Sequence, residues 1–296
     1  MDDSSFDAAS ARIRALGRMD PAEVDADLAA LFDDVRQTLR VPVVDDLIRT
    51  LATERDVLAR RWRAVRPVLG TLAFERAADA LREEALLPSA SEIAGTGTWA
   101  DWPRADELRH YTETTQYVAP KLLLIATAWD TGRTEPAPGV VDGAAPIPTR
   151  PPSSTERLPP TVPDTAEPAT EERLDAVRER HGHPRVPDYF RAIARFEGFF
   201  EAAWTTLEPF VGGDAARERR AQLVARAEAL IAPLFVPAGA PETALHEVVA
   251  AHRHRILPDV LIDVTTIRAW LDGPEAARVA PPSAALPVPP DAQSQP

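Results

Sequence analysis

The residues in this chain best suited to chemistry are two aspartates at matching points of two similar segments, VVDDLIRTLATERDVLARRW and VPDYFRAIARFEGFFEAAW. In the second segment Asp188 follows Pro187, a residue that favours helix starts, so its carboxylate falls where the helix dipole and free N–H groups welcome a negative charge. Tyr189 and Phe190 come next, and Phe196, Phe199 and Phe200 follow within a few turns. Apolar walls of that kind desolvate a carboxylate, raise its pKa and make it a better proton acceptor near neutral pH. The plainer reading is a helix-start acid that faces water. Asp46 opens the first segment in the same manner, beside Asp45. Two such starts could meet and frame a central pocket, or both could simply be solvated.

Other candidates are weaker. Lys121 is the only lysine; placed after Pro120 at the start of a further helix, it would oppose the dipole and need a compensating partner, either a neighbouring carboxylate or an anionic substrate. His181-Gly182-His183 and His252-Arg253-His254 suggest metal binding at first sight. Residues two apart on a helix do not face each other, however, and a solvated turn and an exposed helix end are the expectation. His246-Glu247 is followed by Ala250 where an H-E-x-x-H site needs its second histidine, and Gly95-Thr96-Gly97 is only a fragment of a dinucleotide fingerprint, with no strand before it. Without cysteine there is no disulfide frame, thiolate metal site or thiol nucleophile.

Helices must position these groups. Tyr189, Ile193, Phe196, Phe200, Ala203 and Leu207 recur at three- and four-residue steps, as do Leu47, Leu51, Leu58, Trp62 and Val65. The two stripes keep one register: Trp62 and Trp204 are 142 residues apart, and so are Pro67 and Pro209, Leu58 and Phe200, Leu51 and Ile193, and Val44 and Val186. The spacing predicts an all-α fold of two tandem pseudo-symmetric helical repeats that bury their stripes against each other as a pseudo-dimer. Residues 1–130 form the first repeat and 171–272 the second. Residues 131–170, rich in Pro, Gly, Ser and Thr, are expected to be an extended linker, and 273–296 a disordered tail.

A formal net charge of -13 and a pI of about 5.0 oppose binding to nucleic acid or to anionic membrane surfaces. MDDSSFDAAS lacks the charged and apolar regions of a signal peptide, and no apolar run approaches a membrane span, so a cytoplasmic protein is expected.

With RVPVVDDLIRTLA, YVAPKLLLIATAW and VPDYFRAIARFEGFFEAAW taken together, residues 25 to 272 resemble the group I 2-haloacid dehalogenases, the DehI family. The resemblance implies an all-helical homodimer that needs no cofactor and no metal. It implies an aspartate, here Asp188, that activates water to displace halide from C2 of a short 2-haloalkanoate with inversion. The substrate-facing positions it implies are Val43, Asp46, Ala119, Lys121, Pro187 and Tyr189. Three of these depart from the family pattern: Ala119 stands where an asparagine is thought to fix the water, Pro187 where a serine precedes the aspartate, and Val43 where an aromatic follows Val-Pro. Those departures also suit a relative that keeps the scaffold but binds a small carboxylate without turnover, or that serves as an assembly partner.

Overall fold

The structure is a computed structural model, which describes residues 1–142, 147, 149–152, 167–238, 243–280 and 283–285. It is all-α. Helices α1 (Asp3–Leu16), α2 (Ala26–Leu39), α3 (Asp46–Leu51), α4 (Arg55–Leu69), α5 (Leu72–Glu84) and α6 (Ala105–Asp130) precede α7 (Pro168–His181), α8 (Asp188–Ala194), α9 (Glu197–Leu207), α10 (Asp214–Ile231), α11 (His246–Ala251), α12 (Leu257–Asp272) and α13 (Pro274–Arg278). The starts of α2 and α7, α3 and α8, α4 and α9, and α5 and α10 are each separated by 142 residues.

Local sequence sets the helix ends. Asp25 caps α2 by accepting from Leu28 N at 3.0 Å, Asp45 caps α3 through Leu47 N at 2.9 Å, and Thr71 caps α5 through Phe74 N at 3.2 Å. The long helix α6 contains Pro120, so it does not begin after that residue and Lys121 lies in mid-helix rather than in a first turn. Proline has no N–H for the carbonyl of Gln116, four residues back. Arg82 takes that role: its Nε donates to Gln116 O at 3.1 Å.

α6 and α12 pack against each other at the centre, and each runs through two apolar cores. Tyr117 to Trp129 of α6 and Leu257 to Ile262 of α12 join the larger core with α2–α5 and α10–α11. Leu108 and Tyr111 of α6 join Val264 to Leu271 of α12 in the smaller core, with the aromatics of α8 and α9. Gly97 belongs to this packing and not to a nucleotide site: its N–H donates to Trp270 O at 3.1 Å, and a Cβ there would meet the Trp270 ring at 2.5 Å.

Strand pairing is minor. β1 (Arg133–Pro136) pairs antiparallel with β3 (Phe235–Pro237), and β2 (Thr149–Pro152) with β4 (Ser283–Ala285). β1 and β2 thus fall in the stretch expected to be an extended linker, most of the rest of which lies outside the described residues. At the C-terminal end α13 occupies the first positions of the expected tail, with Ala277 fully buried and its carbonyl accepting from Gln116 Nε2 at 2.5 Å; residues 286–296 lie outside the described residues. Among the described residues no helix is long and apolar enough to cross a membrane.

Candidate active site

The starts of α3 and α8 converge on one cavity of about 70 Å³, room for a few water-sized groups by volume. Most of its wall is apolar, with Val35, Leu39, Val118, Leu122, Leu257 and Val260 among its residues. Its polar groups are Asp45, Asp46, Asp188, Arg49, Arg185, Thr114, Thr115, Tyr111, Tyr189 and His252.

Asp188 is the first helical residue of α8, yet its side chain does not cap that helix. Oδ1 accepts from Arg18 Nη1 at 2.8 Å, and Oδ2 is 3.7 Å from Arg49 Nη1. The same Arg18 nitrogen donates to Asp46 Oδ1 at 2.9 Å, so one guanidinium bridges the aspartates of the two halves. Arg18 comes from the connector between α1 and α2, which lies across both helix starts. Met19 N donates to Arg49 O at 3.1 Å, Arg49 Nε donates back to Met19 O at 2.9 Å, and Arg185 Nη2 donates to Gly17 O at 2.7 Å.

The two acids differ in their proton affinity. Burial pushes Asp188 up, the negative charge of Asp46 adds to this, and Arg18 and Arg49 only partly offset it. Burial would push Asp46 up too, but the hydrogen bond with His252 and the charges of Arg185 and Arg18 outweigh it and hold that carboxyl well below the usual range. Arg185 Nη1 donates to Asp46 Oδ1 at 2.9 Å, and His252 Nε2 is 3.4 Å from Oδ2. Asp45 is pushed up to about 6 by burial and by the charge of Asp188. Carboxyls driven apart in this way divide into a proton acceptor and a fixed anion.

The residues singled out in the sequence are partly gathered here. Asp188, Asp46, Val43, Pro187 and Tyr189 all line the cavity; the buried Tyr189 hydroxyl is 3.3 Å from Thr112 Oγ1. Ala119 is buried on the α6 face between Thr115 and Leu122, which do line it, but is not itself part of the wall. Lys121 is also elsewhere: buried in the larger core, it donates to Glu75 Oε1 at 2.6 Å and to Leu39 O at 3.3 Å, and its Nζ stands 3.9 Å over the Tyr117 ring. Burial pulls its pKa down to about 8 against the opposing pull of Glu75.

Neither histidine pair matches the solvated reading. His252 belongs to a π-helical turn, His252–Ile256, that joins α11 to α12 and aims its ring into the cavity; it is fully buried, with Nδ1 2.8 Å from Val248 O. One extra residue in a turn changes which side chains share a face, and that defeats spacing arguments made for a regular helix. His181 and His183 are buried beside Asp263 and Asp259, because Gly182 in the left-handed conformation (φ 69°) ends α7 and turns the chain inward. Among the described residues there is no group of three or more histidine, aspartate or glutamate side chains arranged to hold a metal ion.

Arg18, Arg49, Arg185, His252 and Thr114 are site groups that the sequence did not reveal as such. Thr114 carries a buried hydroxyl with no hydrogen-bond partner among the described residues, which is uncommon for a polar group removed from solvent. The available signal was a cluster of threonines (Thr112, Thr114, Thr115) on a helix that is otherwise packed into the core.

Residues 41–188, half of the chain, match the family described as halocarboxylic acid dehydrogenase DehI. The chain belongs to the DehI family. A configuration-inverting 2-haloacid dehalogenase of Alcaligenes xylosoxydans xylosoxydans is 28% identical over 282 residues, covering 88% of this chain and 95% of that one. An (R)-2-haloacid dehalogenase of Pseudomonas putida is 26% identical over 259 residues, covering 83% and 85%. In three dimensions the chain is similar to a D-2-haloacid dehalogenase solved in complex with L-LA, with a TM-score of 0.71 at 21% identity over 86% of this chain and 96% of that one. This likeness shows that the DehI chain has the fold of that structure.

Proposed function

We propose that this protein hydrolyses short 2-haloalkanoic acids with inversion at C2, using Asp188 as the general base. The observation that carries this reading is the pair of aspartates at one apolar-walled cavity, with Asp188 pushed toward proton acceptance and Asp46 held ionised. Asp188 takes a proton from water as the water oxygen bonds to C2 and the carbon–halogen bond breaks. Halide leaves with the bonding pair, and the proton passes from Asp188 to solvent. Arg49, beside the base and on the cavity wall, is the cation suited to the substrate carboxylate. The unpartnered Thr114 hydroxyl supplies the hydrogen bond to the attacking water that Ala119 lacks. The aliphatic wall receives the alkyl chain and the polarisable halogen.

Release of chloride from each enantiomer of 2-chloropropionate tests the reading. Wild type should release chloride from at least one of them, Thr114→Val should be slower by about tenfold, and Asp188→Asn should lose about 10²–10⁴-fold, the usual contribution of a general base. No chloride from wild type, or undiminished release from Asp188→Asn, would end the idea. The replacement of asparagine by Ala119 supports a second reading, a DehI member that binds 2-hydroxy or 2-halo acids without turnover. A melting temperature raised by these acids in a protein that releases no halide is the result that selects it. We also expect a homodimer, as the family resemblance implies, which light scattering on the purified chain would test.

A further inference from the structure

A second cavity of about 280 Å³ lies on the far side of α12 from the aspartates, bounded by the end of α7, the turn before α10, the first turns of α10, and Arg255, Asp259, Ile262 and Asp263. Nothing in the proposed chemistry uses it. Asp263 accepts from His181 Nε2 at 2.8 Å, whereas Arg217 turns to Gly212 O and Asp214, and the cavity lies between them.

The lining has an excess of positive groups. Arg180, Arg217, Arg220, Arg255 and His181 face Glu179, Asp259 and Asp263. Both ring nitrogens of His181 face acceptors, Val177 O and the Asp263 carboxylate, so each must carry a proton. Burial opposes that charge, but Asp263 outweighs it and pushes His181 up to about 9. The two aspartates are already engaged, Asp263 by His181 and Asp259 by His183 and Arg220, at 3.0 Å each. Arg220 uses only Nη1 on Asp259, and Arg180 makes no ion pair among the described residues. Arg255 donates to Asp3 Oδ1 at 2.9 Å and lies over the Phe6 ring, which leaves Arg180, Arg217 and Arg220 as the guanidinium groups of the hollow, a set that suits an oxyanion in a chain of net charge -13.

We propose that this cavity is a second ligand site, taking a small oxyanion, carboxylate or phosphate, on Arg180, Arg217 and Arg220, with any apolar part of the ligand against Phe210, Val211 and Ile262. The test is calorimetric titration of the full chain with sodium phosphate and with sodium acetate at an ionic strength held constant with sodium chloride. Arg180→Gln/Arg217→Gln serves as the variant, since both side chains lie at the exposed rim and neither is bonded to Asp259 or Asp263. At least one oxyanion should bind wild type in a saturable manner and the double variant about tenfold more weakly, with halide release unchanged; whichever anion binds identifies the source of the charge. Binding of neither, or equal binding to wild type and variant, overturns the proposal.

Discussion

The two halves of the chain place an aspartate at the start of equivalent helices and then treat it in opposite ways. Asp46 is surrounded by Arg18, Arg185 and His252 and stays ionised. Asp188 shares Arg18 and lies 3.7 Å from Arg49, while burial and the neighbouring anion push it up. Helix position is thus not what sets the proton affinity of the two carboxyls. The partners contributed by other elements decide it, and they come from the α1–α2 connector, from Arg185 and from the π turn.

The largest effect expected from this asymmetry lies between the two aspartates. Asp188→Asn should lower halide release by about 10²–10⁴-fold, whereas Asp46→Asn should cost only about tenfold and, by removing the anion that raises Asp188, move the acid limb of kcat/KM to lower pH. Equal losses in the two variants would show that the halves are not differentiated. The next effect concerns stability. His181 is raised from its ordinary 6.5 to about 9, so its pairing with Asp263 stabilises fully below pH 6.5 and loses that contribution as pH rises from 6.5 through about 9. The change is on the order of 3 kcal/mol. Thermal unfolding across that range should show the decline in wild type, and His181→Gln should be less stable at pH 6 and largely free of it.

A smaller effect tests Arg18. Since Arg18 lowers the pKa of Asp188, Arg18→Gln should shift the acid limb to higher pH and slow halide release at a fixed acidic pH. A shift in the other direction would contradict the electrostatic account. The smallest is a gain: Ala119→Asn places an amide one turn from Thr115 on the face that borders the cavity, and a few-fold rise in halide release is expected. A variant that folds normally with no change in rate would place the water-holding role wholly on Thr114.

Much of the scaffold was legible because apolar stripes repeat. The 142-residue register between Trp62 and Trp204 anticipates the shared spacing of the helix starts, whereas of the aromatics after Asp188 only Tyr189 lines its cavity, Phe190, Phe196, Phe199 and Phe200 packing in the smaller core while aliphatic side chains of other helices form the wall. The supporting groups were hidden for identifiable reasons. Arg18 lies in an irregular connector, where periodicity carries no information, and it acts across 170 residues of sequence. His252 faces inward because of a π turn that helical spacing rules do not describe. His181 and His183 resembled a polar turn, yet Gly182 folds that turn into the core beside Asp263 and Asp259. Pro120 signalled a helix start, but Arg82 stabilises the carbonyl it leaves free and the helix continues.

A single turnover in water labelled with oxygen-18, with enzyme in excess over 2-chloropropionate, tests most directly whether Asp188 activates water. The account predicts label in the 2-hydroxy acid from the first turnover, inverted at C2, and none in the peptide that contains Asp188. Unlabelled first-turnover product, with label later appearing in the Asp188 carboxylate, would show that the aspartate attacks carbon itself and would contradict the account.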